Sequence, residues 1–168
     1  MQITFNLPHA GNPGSTARVN APVVRALLDA LIEINLDYLR LHPHTRPLYR
    51  SGVRYGRTRT WDEIPAMYSL GFGDCKSLSA ALIAERRLRG VKVYPSFRWA
   101  RRTPGPDGIM DFHILVQTGP STFEDPSRIL GMGANEFAPF AAQKQQNAGA
   151  RNMSSVIGWD TKFSQFWR

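Results

Sequence analysis

GDCKSLSAALIAERRLRGVKV, residues 73–93, decides how this chain is read. Gly71-Phe72-Gly73 supplies a permissive turn, and Asp74 can cap the helix that follows. Leu78, Ala81, Leu82 and Leu88 then recur at helical spacing, Arg86, Arg87 and Arg89 complement the negative end of the helix dipole, and Gly90 stops the element. Cys75, the single cysteine, stands in the first turn of this predicted helix. Unpaired amides and the dipole there favour a thiolate and offer donors to an oxyanion. A buried core cysteine is the competing reading, and the charge of Asp74 opposes ionisation unless it is occupied as the cap or offset by a cation.

Downstream the period switches to two. Val91, Val93, Phe97 and Trp99 predict a strand, with Pro95 placing it at an edge or a bulge. RTPGPDG (residues 102–108) is a loop, and Met110 to Thr118 predicts a second strand with Phe112, Ile114 and Val116 on one face and His113, Leu115 and Gln117 on the other. Gly119-Pro120 turns the chain into a third strand, Ser121 to Asp125, which Pro126 ends. A three-residue loop centred on Gly119 makes residues 113 and 125 direct cross-strand partners. The carboxylate of Asp125 would then orient the imidazole of His113. Taken singly, His113 reads as a hydrogen-bonded surface histidine and Asp125 as a turn former.

Upstream, Asn20 as cap, Pro22 in the first turn and Val24, Leu27, Leu28, Leu31, Ile34 and Tyr38 predict an amphipathic helix, ended near Leu41 by the His42-Pro43 pair. Thr60-Trp61-Asp62-Glu63 has the form of a capping box for a short helix finished by Gly71. Ile3, Phe5 and Leu7 suggest a short edge strand or arm before a glycine- and proline-rich linker, and Trp159, Phe163, Phe166 and Trp167 suggest an anchoring tail.

These elements predict an α+β protein. The expected organisation is an N-terminal arm over 1–20, a core over 21–130 and an irregular C-terminal extension over 131–168. A chain of 168 residues fits one domain. No apolar run approaches a membrane span, and the N-terminus lacks the form of a signal peptide, so a cytoplasmic protein, or one incorporated in a virion, is expected. The net charge of +8, carried mostly by arginine, favours acidic partners without choosing among them.

GDCKSLSAALIAERRLRGVKV, DFHILVQ (111–117) and FEDPSR (123–128) resemble the Cys, His and Asp motifs of the transglutaminase-like superfamily, in that family's chain order. The resemblance spans about residues 60 to 130. It implies a papain/transglutaminase-like core, a helix with N-terminal Cys packed on a small antiparallel β-sheet. It also implies Cys75 as nucleophile, His113 as general base then acid, and Asp125 as the carboxylate fixing the imidazole tautomer. The activity implied is attack on a protein or peptide amide through a thioester, as a cysteine peptidase, amidase or acyltransferase. No cofactor is implied. Many members carry tryptophan where this chain has Leu115 and Phe123, and Lys76 directly follows the cysteine. For the oxyanion, the Cys75 backbone amide and the Trp61 indole are candidate donors, core packing being the alternative for Trp61.

RPLYRSGVRYGRTR (residues 46–59) sets Arg46, Arg50, Arg54, Arg57 and Arg59 among Tyr49 and Tyr55 with no acidic residue between. It reads as a candidate surface for an acidic partner or nucleic acid, or as a solvated basic loop. His42 and His44 lack a third ligand at diagnostic spacing, and no metal site is expected. The second functional class is a structural or assembly module, such as a phage virion component, that keeps the fold and binds other structural proteins through the arm, the arginine loop and the aromatic tail.

Overall fold

The computed structural model describes residues 13–99, 112–134 and 136. The predicted arm strand at Ile3–Leu7, the 102–108 loop and the aromatic tail at Trp159–Trp167 lie outside these residues. The order is α1 (Pro13–Leu41), a 3-10 turn (Leu48–Arg50), β1 (Arg54–Tyr55), α2 (Ile64–Leu70), β2 (Phe72–Gly73), α3 (Cys75–Leu88), β3 (Tyr94–Trp99), β4 (Phe112–Gln117), β5 (Phe123–Glu124) and α4 (Pro126–Ile129). The protein is mixed α+β.

Helix α3 is the centre of the molecule. It packs against α1 on one side and β4 on another. Leu28, Leu31, Ile32, Leu36 and Leu39 of α1 meet Leu78, Ala81, Leu82 and Ile83 of α3, with Ile114 and Val116 of β4 closing the same core. Every α3 residue from Cys75 to Glu85 is buried, so the helix is not the simple amphipathic one its leucines suggest. Its polar side chains survive burial because each has a defined partner. Ser77 Oγ accepts from the Asp62 amide at 2.9 Å, Ser79 Oγ donates to the Ile114 carbonyl at 3.1 Å, and Glu85 accepts from the Leu48 amide.

Both predicted ends of α3 are present. Asp74 Oδ1 accepts from the Lys76 amide at 3.0 Å, and Gly90 adopts φ 77° while the Val91 amide bonds back to the Arg86 carbonyl. That left-handed residue is where glycine carries no Cβ penalty. Gly73 answers a different demand, close approach. A Cβ there would lie 2.6 Å from Met67 Sδ, so any side chain at this entry to α3 would force buried Met67 to move.

Two helix starts differ from the sequence reading. α1 reaches back to Pro13, and Pro22 lies inside it rather than in its first turn. Pro13 itself suits a first turn, and Pro22 gives up one bond, to the carbonyl four residues earlier, in a helix held by its packing on α3. The capping box does not form. Thr60 Oγ1 bonds Asp62 Oδ2 at 2.8 Å instead, and α2 starts later, with Glu63 as an N-cap without a side-chain bond and proline in the first turn.

In the described residues β3, β4 and β5 form an antiparallel sheet in that order, so Pro95 does sit on an edge strand. The β4–β5 register differs from the expected one. Val116 faces Glu124 and Gln117 faces Phe123, and the Thr118 amide bonds the Thr122 carbonyl at 2.9 Å, so the three-residue loop is centred on Pro120 rather than Gly119. His113 and Asp125 are therefore not direct cross-strand partners; Asp125 is diagonal to His113, on the same face because the shift is two residues. Also outside the sequence reading, β1 and β2 form a short parallel pair, and the Tyr55 amide bonds the Leu130 carbonyl just past α4.

Candidate active site at the start of α3

Strand β5 ends at Glu124, because Pro126 cannot donate to a ladder and Asp125 turns to cap α4, its Oδ1 accepting from the Arg128 amide at 3.2 Å. Among the described residues the far half of the β4 edge then has no strand partner on that side. Backbone groups of alternate residues point to the same edge, so Phe112 and Ile114 face where β5 would have continued. The first turn of α3 occupies that place. Cys75 Sγ lies 3.9 Å from the Phe112 carbonyl, and Ser79 Oγ donates to the Ile114 carbonyl. The first turns of α3 are thus tied to the backbone on either side of His113, through Cys75 and Ser79.

His113 is 1% exposed. Its Nε2 lies 3.0 Å from Asp125 Oδ2. A carboxylate can only accept, so the proton of this bond belongs to Nε2, which makes Nδ1 the basic nitrogen. Asp125 thus divides its two oxygens between the imidazole and the α4 amide, which holds the carboxylate in place from two directions. The structure brings His113 and Asp125 into direct contact and sets Cys75 against the same stretch of β4.

The thiol is not activated in this conformation. Burial, then the neighbouring Asp74 charge, pushes Cys75 up to about 12, against the smaller opposing effects of Lys76 and the Ile114 amide. The helix N-terminus is outweighed because the sulfur is enclosed. Asp74 itself is pushed upward by burial, opposed by the Lys76 ammonium and two amides.

Lys76 is the residue that sequence reading missed. A lysine in a first helical turn reads as solvated, yet this one is 8% exposed. Its Nζ pairs with Asp74 Oδ2, donates to the Thr58 carbonyl at 3.1 Å and stands 5.8 Å from the centre of the Trp61 ring. The cation that offsets Asp74 is therefore Lys76. Trp61 packs partly buried against the core. The Cys75 amide belongs to the first turn, whose donors an α-helix leaves unbonded within itself.

In the arginine-rich stretch Arg46, Arg50, Arg54, Arg57 and Arg59 are all exposed. Arg57 approaches Glu136 at 3.7 Å, Arg54 lies exposed on β1, Tyr55 packs against the core, and the Tyr49 hydroxyl donates to Glu124 at 2.8 Å. His42 stacks on Tyr38 with ring centres 4.3 Å apart. Among the described residues no three His, Cys, Asp or Glu side chains cluster as metal ligands, and no helix is long and apolar enough to cross a membrane. Comparisons of the chain with family models, curated proteins and solved structures gave no match.

Proposed function

We propose that this protein is a cysteine hydrolase or acyltransferase acting on amide bonds, built on a papain/transglutaminase-like core. The observation that carries the reading is the 3.0 Å bond from His113 Nε2 to Asp125, on a strand whose backbone on either side of that histidine is bonded by Cys75 and Ser79 of α3. In this reading Nδ1 of His113 removes the thiol proton as sulfur attacks the amide carbon. A sulfur–carbon bond forms, the carbon–nitrogen bond breaks, and His113 returns the proton to the departing amine. Water or a second amine then resolves the thioester, and Asp125 keeps the ring in its working tautomer. Because the resting thiol is held protonated by burial, proton removal has to accompany attack rather than precede it.

Incubation with 4-nitrophenyl acetate followed by mass spectrometry tests this directly. An acetyl adduct confined to Cys75, reduced about a hundredfold or more in rate by His113→Ala, is the expected result. Acetylation spread over lysines and indifferent to His113 would remove the proposal.

The enclosure of Cys75, 9% exposed, favours a second reading, a structural or assembly module that keeps this polar core for packing. In that case Cys75→Ser leaves assembly intact and no acyl adduct forms on the wild type.

A further inference from the structure

Where the 3-10 turn meets the last turns of α3 there is a surface depression of about 300 Å³, with Tyr49 and Arg50 on one wall, Glu85, Arg86 and Arg89 on the other, Pro47 adding apolar surface and buried Leu82 beneath. Its walls are fixed. Buried Glu85 accepts the Leu48 amide and so ties the turn to the helix, while Glu124 receives both Arg86 Nη2, at 3.1 and 3.2 Å, and the Tyr49 hydroxyl. Arg50 and Arg89 are different. Both are exposed, and among the described residues neither has a carboxylate within ion-pair distance. Two guanidinium groups without an ion-pair partner among the described residues therefore line a hollow beside an aromatic ring, Arg89 also acting on the Glu85 carboxylate at longer range.

We propose that this depression is a docking site for an acidic segment of a partner protein, with one carboxylate side chain seated between Arg50 and Arg89. The hollow matches a single side chain better than a nucleic-acid strand. A phosphodiester backbone needs cations spaced along a path, and Arg54 and Arg57 lie instead on β1 and against Glu136. Pro47 suits the methylene stem of a glutamate, and the Glu85 and Glu124 carboxylates in and beside the lining are already taken by the Leu48 amide and by Arg86 and Tyr49. The site lies at the opposite end of α3 from Cys75, and its test is independent of any chemistry there.

The test is calorimetric titration of the full chain with an acetylated, amidated hexaglutamate peptide at about 0.15 M salt, where diffuse attraction is screened beyond a Debye length. Arg50→Gln and Arg89→Gln should each weaken binding about tenfold, as expected for loss of a charge-assisted hydrogen bond. Arg54→Gln and Arg59→Gln, which remove the same charge elsewhere, should change it by less than about twofold. Arginine Nε–Hε resonances of the wild-type protein provide a second readout, with Arg50 and Arg89 shifting on titration. Equal losses in all four variants, no shift at Arg50 and Arg89, no measurable binding, or tighter Arg50- and Arg89-dependent binding of a single-stranded hexanucleotide would each overturn the proposal.

Discussion

The two ends of α3 handle charge in opposite ways. At the N-terminal end Asp74, Cys75 and Lys76 are buried together, and every polar group is committed to a partner on β4, on the loop before α2 or within the cluster. At the C-terminal end Arg86 and Glu124 pair in partial contact with water, and Arg89 is exposed, without an ion-pair partner among the described residues. Desolvation makes the first end strongly interdependent, so that changing one charge changes its neighbours. Water makes the second end tolerant. One helix can thus hold a buried thiol in fixed geometry and present a charged surface without one interfering with the other.

The largest expected break in that contrast is Lys76→Met. It leaves Asp74 buried without its cation and should cost about 3–5 kcal/mol in urea unfolding. Adding Asp74→Asn should recover part of the loss, because a neutral amide needs no counter-charge. A single-mutant cost as small as that of a surface pair would show that water reaches the site.

The alkaline limb of stability sharpens the comparison. The folded Cys75 thiol lies near 12 against an ordinary value of 9.0, so the folded chain keeps a proton that the unfolded chain releases. Its contribution is complete below about pH 9 and is lost as pH rises through about 12. Above about pH 9 the stability of the wild type should fall more steeply than that of Cys75→Ala, by about 1.4 kcal/mol per pH unit. Parallel pH profiles for the two proteins would mean that the sulfur is solvated.

The smallest effect belongs to the other end. Arg86→Gln should change stability by less than about 1 kcal/mol, since this pair is partly exposed and screened. A larger loss would place Arg86 and Glu124 among the buried, cooperative groups.

How far the sequence carried can be stated residue by residue. The ends of α3 were legible because Asp74 and Gly90 act locally, through a side-chain cap and a left-handed turn. The stop of α1 at Leu41 was legible for the same reason, from Pro43. The start of α1 was not, since continuing through Pro22 depends on tertiary packing. That His113 and Asp125 share a face survived an error in their register, because a two-residue shift preserves the side on which strand residues point. Gly119 and Pro120 are both turn formers, and nothing local chooses which is central. The Lys76 pair and the joining of Arg50 to Arg89 are long-range products of the fold, with no periodic or compositional trace.

The account depends most on His113 acting on the Cys75 sulfur. The direct measurement is the rate of iodoacetamide alkylation of Cys75, followed by mass spectrometry from neutral to alkaline pH, in the wild type and in His113→Ala. The account predicts alkylation near neutral pH faster than a thiol of pKa about 12 allows, falling about a hundredfold or more in the variant. Equal rates in the two proteins, each climbing about tenfold per pH unit toward that alkaline value, would contradict it.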